Sequence, residues 1–311
     1  MRICSLLPGA TEIVFSLGMG GSVVGVSHEC DYPPQARALP KVTRSTMASG
    51  LSSREIDDTV ENSIRSGTPL YALDVDLLEQ LKPDLILTQG LCDVCAVSVD
   101  LVHEAMQSLS CKPRVLDLKP HGLADILANI REVGSVLGCE QRAGELLQEL
   151  EARIATVQSR AQAAATRPKV LTLEWVEPPY CGGHWMAELV AIAGGHDDLA
   201  NRGRPSYRIE WNSVISYAPE IIVLTCCGFD LARTRGEVET LAAVPGIFEV
   251  PAVKNGQVYA TAGSGYFSRP GPRVVDSLEI LAHLIHPELF APPPLADAFA
   301  RVEVLPAGQH A

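Results

Sequence analysis

The alternation of apolar, strand-like runs with helical patterns constrains the fold of this chain more than any other feature. Two neighbouring parallel strands need a crossover, usually a helix, so this order is typical of repeated βαβ units. In the first half of the chain, strands are predicted at 2–6, 22–26, 84–88 and 114–118, and helices at 10–17, 54–65, 75–81 and 99–109.

The alternation stops between residues 123 and 166, where strand signals are nearly absent. One helical run ends near Gly138, and a second run, rich in Ala, Glu, Gln and Arg, covers 140–165. A helix of about 25 residues is about 40 Å long, which suits either a surface helix of one domain or a rigid strut between two lobes. Beyond it, strands are predicted at 169–175, 221–225 and 257–261, and helices at 184–193, 211–217, 234–243 and 273–285.

The resumed alternation favours the strut, and the chain of 311 residues with 47% hydrophobic content can bury two cores. The predicted fold class is α/β, with two parallel-sheet lobes joined by one long rigid helix and a ligand cleft between the lobes. The predicted divisions are an N-terminal lobe at 1–120, a helical connection at 121–166, a C-terminal lobe at 167–287 and a peripheral, proline-rich tail at 288–311.

The net charge and the hydropathy of the chain limit its possible binding partners and its cellular compartment. The net charge of -12 repels phosphate backbones and argues against nucleic acid. No apolar stretch approaches the roughly 20 residues that span a bilayer, so the chain is not expected to be membrane-embedded. The first residues lead directly into a strand without a signal-peptide pattern, which predicts a cytoplasmic protein, or a periplasmic or extracellular one if a leader is missing.

The segments that follow the predicted strands carry the candidate ligand-binding residues. Ligands of parallel α/β sheets bind beyond the carboxyl ends of the strands, and the turn after the first strand opens a helix whose N–H groups could face an anion or a carbonyl. The corresponding segments of the second lobe contain aromatic residues, whose broad faces suit a large apolar ligand. The candidates are Pro8, Gly9, Ala10, Thr11, His28, Tyr32, Trp175, Tyr180, His184, Trp185, Phe229, Tyr266, Phe267 and Arg269.

Several of these residues admit a second interpretation. The aromatic side chains form either an exposed binding wall or part of the core, and the proximity of Trp175 and Trp185 to paired prolines and glycines favours the wall. His184, predicted to open a helix, is either a polar residue near the helix start or a ligand to a metal centre. Arg269 either contacts a ligand or caps the last helix.

Six of the nine cysteines also follow predicted strands. The Cys92-x-x-Cys95 spacing suits zinc, an iron–sulfur cluster or a redox dithiol, but a single motif of this kind is weak evidence. The thiols are either ligands of such a metal or cluster, or uncoordinated. The candidate metal ligands are Cys30, Cys92, Cys95, Cys181, Cys226 and Cys227.

Catalytic motifs are lacking. The sequence contains no Gly-x-Ser-x-Gly elbow, no Walker loop and no His-Glu-x-x-His. A thiol enzyme using Cys92 or Cys95 with His28 is the remaining catalytic alternative. The prediction is therefore a protein that is not an enzyme.

Several short sequence blocks along the chain resemble those of a known family. The sequence is similar to the periplasmic-binding-protein family that serves vitamin B12, haem and ferric-siderophore ABC importers, and most closely to its cobalamin-binding branch. The similarity covers about residues 1–287. It is carried by SLLPGATEI at 5–13, CDYPP at 30–34, KPDLIL at 82–87, AGG at 193–195, PEII at 219–222 and RPGPR at 269–273.

The resemblance implies two α/β lobes, one inter-lobe helix, a ligand held between the lobes with little hinge motion, and docking to an ABC permease. Together with the aromatic strand ends, it predicts a non-catalytic carrier, salvage protein or uptake component that holds a corrinoid such as cobalamin. The alternative is a cytoplasmic protein that binds a transition metal or an iron–sulfur cluster through its cysteines on the same fold.

Overall fold

The chain folds into two compact units, each of which is described here by itself. A computed structural model describes residues 1–90, 97 and 99–306. The first unit comprises Met1–Pro120, Ala124–Gln148 and Pro270–Pro272, and the second comprises His121–Leu123, Glu149–Arg269 and Arg273–Ala311.

The first unit contains a four-stranded parallel sheet with the order β2-β1-β5-β6. Each of these strands lies within one residue of its predicted bounds, because buried parallel strands are continuous apolar runs. The strands of this unit are β1 (Ile3–Ser5), β2 (Val23–Val26), β3 (Thr43–Ser45), β4 (Tyr71–Leu73), β5 (Leu85–Thr88) and β6 (Arg114–Asp117). The helices are α1 (Pro8–Ser16), α2 (Ser53–Ser66), α3 (Val75–Leu81), α4 (Val99–Ser108), α5 (Leu123–Leu137) and the start of α6 (Glu140–Ala161).

Strands β3 and β4 form an antiparallel pair that the sequence does not predict. Helix α2 lies between them in the chain and begins with a capping box. In it, the Ser52 hydroxyl accepts a hydrogen bond from the Glu55 N–H, and the Glu55 carboxylate accepts one from the Ser52 N–H. The predicted helix at 54–65 is therefore confirmed, while its flanking strands were missed.

The second unit contains a five-stranded sheet with the order β13-β12-β11-β7-β8. The three central strands are parallel, and the two edge strands run antiparallel to them. The strands are β7 (Val170–Trp175), β8 (Tyr180–Cys181), β9 (Gly183–His184), β10 (Asn201–Arg202), β11 (Ile221–Leu224), β12 (Val258–Thr261) and β13 (Phe299–Arg301). The helices are α7 (Met186–Ile192), α8 (Trp211–Tyr217), α9 (Leu231–Ala242), α10 (Pro251–Lys254) and α11 (Val274–Ile285).

The prediction of an α/β fold with parallel sheets is confirmed in both units. In the tail, β13 pairs with β12, and the neighbouring Ala298 is fully buried. A strand in this segment was not expected from its sequence. Within the part of the chain that the structure describes, no helix combines the length and the apolar character needed to cross a bilayer.

Candidate functional site

Three segments meet at the carboxyl end of the second sheet, and we call them the second rim: 174–182 at and after the end of β7, 225–233 after β11 and 262–269 after β12. Backbone hydrogen bonds connect them, from the Cys227 N–H to the Glu174 carbonyl at 3.1 Å and from the Ser264 N–H to the Phe229 carbonyl at 3.0 Å. A Cβ atom on Gly263 would lie 2.1 Å from the Cys226 carbonyl oxygen, so only glycine permits this approach. The second rim is therefore a cross-linked surface.

Trp175, Phe229 and Arg233 form an aromatic stack on the second rim. The rings of Trp175 and Phe229 are tilted, with centroids 4.9 Å apart, and the Arg233 guanidinium lies 3.7 Å from the centroid of Phe229. The indole N–H of Trp175 donates to the Glu177 carbonyl at 3.1 Å, which fixes the ring. A half-buried apolar face with an exposed cation beside it suits a large apolar ligand that carries polar substituents.

Tyr180 and Tyr266 are also half-buried on this side of the second sheet. Tyr180 lies in β8 directly opposite Trp175 in the strand register. The Arg273 guanidinium lies 5.2 Å from the centroid of the Tyr266 ring. Trp175, Tyr180 and Tyr266 thus keep accessible surface and stay predictions as ligand contacts.

The prediction of an exposed wall is wrong for Trp185, Phe229 and Phe267, which are only 5%, 3% and 3% exposed. The indole N–H of Trp185 donates to the Phe267 carbonyl at 3.2 Å, so the two residues join α7 to the second rim from inside. Arg269 is likewise buried, at 4% exposed, and Arg273 occupies the cap position of the last helix. The side chains of Trp185, Phe229, Phe267 and Arg269 are therefore buried and do not present faces to solvent.

His184 lies in β9, and not at the start of a helix as predicted, because α7 begins only at Met186. Its φ of 51° is left-handed, which is uncommon for residues other than glycine, although histidine, asparagine and aspartate adopt it more often than the rest. The conformation is held by hydrogen bonds from the His184 N–H to the Arg204 carbonyl at 2.6 Å and from the Gly203 N–H to the His184 carbonyl at 2.8 Å.

The imidazole of His184 is stacked on Trp185, with centroids 5.7 Å apart and planes at 26°. The exposed ring of His121 is tilted against the His184 ring, with centroids 6.1 Å apart and planes at 48°. Burial, and secondarily the neighbouring His121, lower the pKa of His184 to about 4. The Nδ1 atom of His184 is buried and has no hydrogen-bond partner in the described part of the chain. His184 is therefore neutral at physiological pH, with one nitrogen unsatisfied.

Asp197 anchors the loop that holds His184. Its buried carboxylate accepts hydrogen bonds from the Thr172 N–H at 2.8 Å and the Thr172 hydroxyl at 2.7 Å, within β7. It also accepts from the N–H groups of Leu199 at 3.2 Å and Ala200 at 3.0 Å. The segment after Ala200 pairs with β9, so Asp197 fixes the position of His184 relative to the second sheet.

The first-unit candidates lie around the ends of β1 and β2. Gly9, Ala10 and Thr11 are buried, and a Cβ atom on Gly9 would lie 2.7 Å from the Pro270 carbonyl oxygen. The expectation that these residues of the helix start face a ligand is therefore wrong, because all three are buried and the backbone of Pro270 lies against Gly9. Pro8 keeps partial exposure.

His28 and Tyr32 follow β2. His28 is half-buried, and its backbone N–H and its Nδ1 lie 3.0 and 2.7 Å from the Thr43 hydroxyl oxygen. Burial lowers the pKa of His28, so its imidazole is neutral near physiological pH. Tyr32 is 44% exposed. Both residues remain accessible on the first unit and stay predictions.

The candidate metal ligands are not assembled in the described residues, where no group of three or more His, Cys, Asp or Glu side chains is arranged to hold a metal. Cys30 lies in the first unit, 3.1 Å from the Thr11 hydroxyl. Burial raises the pKa of Cys181 to about 11 and that of Cys226 still further, which disfavours their thiolates. Cys227, also in the second unit, is half-buried. The motif cysteines, Cys92 and Cys95, lie outside the described residues.

Sequence reasoning missed His121 and Arg233. His121 follows the strand predicted at 114–118 by three residues, so the strand-end rule could have identified it. Arg233 lies one turn after Asp230, whose carboxylate caps α9 by accepting from the Arg233 N–H at 2.8 Å. Only the structure shows its guanidinium folding back over Phe229.

Comparisons with known proteins agree on one family. A family model described as "Periplasmic binding protein" matches residues 3–263. A vitamin B12-binding protein of Vibrio cholerae is 24% identical, covering 89% of this chain and 86% of the relative. An uncharacterized ABC transporter substrate-binding lipoprotein of Bacillus subtilis is 23% identical, covering 93% and 81%. A periplasmic heme-binding protein of Pseudomonas aeruginosa has a similar structure, with a TM-score of 0.71, 19% identity, and coverage of 97% and 99%.

These matches correct one prediction from the sequence. The expectation of a cytoplasmic protein is contradicted, because the matching family is periplasmic and a relative is a substrate-binding lipoprotein. The alternative of a cytoplasmic protein that binds a metal or cluster is not supported by any of these matches.

Proposed function

Because the chain belongs to the periplasmic binding protein family, we propose that it is the non-catalytic, substrate-binding component of an ABC-type uptake system and that its cargo is a cobalamin-like corrinoid. The relative from Vibrio cholerae, which binds vitamin B12, supports this cargo. The relative from Bacillus subtilis, described as an ABC transporter substrate-binding lipoprotein, supports an ABC permease as the membrane partner.

The observation that carries the proposal is the aromatic stack on the second rim. A corrin ring is broad and apolar, and its edge carries amide groups. Trp175 offers a flat apolar face of suitable character, with the Arg233 guanidinium beside it as a donor to amide oxygens. Tyr180 and Tyr266 add accessible rings on the same side of the sheet. Binding then derives mainly from burial of apolar surface.

The test measures the affinity of cyanocobalamin by fluorescence quenching for the wild type, Trp175→Ala and Tyr266→Ala. Removing one contacting aromatic ring is expected to weaken binding about 10- to 100-fold, which corresponds to about 1.4–2.8 kcal/mol. Tyr259→Ala is the matched control for Tyr266→Ala, since Tyr259 is a half-buried tyrosine of the second unit that lies within β12, outside the second rim.

Wild-type affinity for cyanocobalamin in both Trp175→Ala and Tyr266→Ala, each with wild-type circular dichroism, would refute the role of the aromatic stack. Hemin is titrated in parallel, because heme-binding proteins share the fold. If hemin binds more tightly than cyanocobalamin, heme and not a corrinoid becomes the proposed cargo. Trp185→Ala is unsuitable as a test, because Trp185 is buried and its loss would perturb folding.

A further inference from the structure

His121 and His184 form an imidazole pair that the proposed function does not use. Both belong to the second unit, and their ring centroids lie 6.1 Å apart. His121 is exposed, so a small solute can reach the pair from solvent.

Packing alone does not account for the features of His184. A left-handed φ is uncommon for a residue other than glycine, and residues held in this region cluster at functional sites. Its buried Nδ1 also lacks a hydrogen-bond partner among the described residues, although buried polar atoms are nearly always paired. A left-handed φ and an unsatisfied nitrogen at one residue indicate that a partner of the imidazole is still to be added.

The separation of the rings suits a shared metal ion. A metal about 2.1 Å from one nitrogen of each imidazole places the two ring centroids about 4.5–6.5 Å apart, depending on the nitrogen–metal–nitrogen angle. The observed 6.1 Å falls within this interval. Imidazole is the commonest side-chain ligand of transition metals in proteins.

The imidazole of His184 and the backbone segment that carries His121 are held in place by their surroundings. Trp185 stacks on His184, and its own indole N–H is fixed by the Phe267 carbonyl. On the other side, the Leu123 N–H donates to the Glu188 carboxylate at 3.0 Å, which anchors the segment of His121 beside the start of α7. A site whose ligands are already positioned loses little conformational entropy when a metal binds.

We infer that His121 and His184 together bind one divalent transition-metal ion of the borderline class, such as Zn²⁺, Ni²⁺ or Co²⁺, through one imidazole nitrogen each. Imidazole is a preferred ligand of these ions. The remaining coordination positions are filled by water, because the described residues offer no third protein ligand in an arranged group. The ion joins the segment at 121–123 to β9.

The test is calorimetric titration with Zn²⁺ of the full chain carrying Cys92→Ser and Cys95→Ser, which removes the motif thiols as competing ligands. One ion per chain is expected. His121→Gln and His184→Asn, made in this background, are each expected to weaken binding about 10-fold or more. Asparagine is chosen at position 184 because it tolerates a left-handed φ. His103→Gln, on the exposed face of α4, is the control and is expected to bind as the parent does.

No saturable binding of Zn²⁺, or binding that survives both histidine substitutions, would overturn the inference. Loss of binding in His121→Gln together with unchanged binding in His184→Asn would also overturn it, since both rings are required. Circular dichroism of each variant separates loss of the site from loss of the fold. The outcome is independent of the corrinoid proposal, because no corrinoid is present in the titration.

Discussion

Replacing Asp197 by alanine is expected to destabilise the second unit strongly. The carboxylate is 7% exposed and accepts four hydrogen bonds, three of them from the backbone N–H groups of Thr172, Leu199 and Ala200. Each buried donor left without an acceptor costs about 1–3 kcal/mol. Leu199 and Ala200 are partly accessible, so water replaces some of the lost bonds and the expected loss is about 3 kcal/mol.

The assay is thermal unfolding followed by circular dichroism at pH 7. A loss of about 3 kcal/mol lowers Tm by about 6–12 °C in a chain of this size. Asp198→Ala removes the adjacent, exposed carboxylate and is expected to change stability by less than about 0.5 kcal/mol. A Tm for Asp197→Ala within about 2 °C of the wild type would refute the assignment of Asp197 as the anchor of the His184 loop.

Three further predictions concern the framework of the second unit. Gly263→Ala is expected to lower the free energy of unfolding, measured with urea, by about 2–3 kcal/mol, because the added Cβ would clash with the Cys226 carbonyl. Gly236→Ala, whose Cβ would lie in open space on α9, is expected to raise it by about 0.5–1 kcal/mol. Burial raises the pKa of Cys226 well above the usual range, so iodoacetamide at pH 8 should alkylate Cys226 far more slowly than half-buried Cys227. Peptide mass spectrometry measures both rates, and equal rates would contradict the burial of Cys226. Arg153→Met should lower the urea midpoint by the equivalent of about 1–2 kcal/mol, since the guanidinium donates to two carboxylates of α11 at 2.6 and 2.7 Å; an unchanged midpoint would mean that the ion pairs do not contribute.

The elements that could be predicted from sequence are those whose pattern is set by burial. Strand β11 reads Ile-Ile-Val-Leu and is buried on both faces, so its apolar run identifies it at once. Strand β3 reads Thr-Arg-Ser and is only partly buried, so no local pattern marks it. The two-residue strands β9 and β10 depend on pairing with each other, which local sequence does not encode.

The strand-end rule found the right segments of the second rim but not the direction of their side chains. Trp175 ends β7 and Trp185 directly precedes α7, yet Trp175 is half-buried on the rim whereas Trp185 is only 5% exposed. The difference arises from the Phe267 carbonyl, distant in sequence, which holds the Trp185 indole. The pairing of His121 with His184 likewise depends on contacts between segments more than 60 residues apart.

Retention of cyanocobalamin by the wild-type protein tests the central claim most directly. The protein is mixed with an excess of cyanocobalamin, desalted, and examined by ultraviolet–visible spectroscopy and cobalt analysis, with hemin as a parallel sample. Corrin absorption bands and about one cobalt per chain are expected after desalting. A protein that emerges without cobalt would contradict the corrinoid as cargo, whether or not it retains hemin.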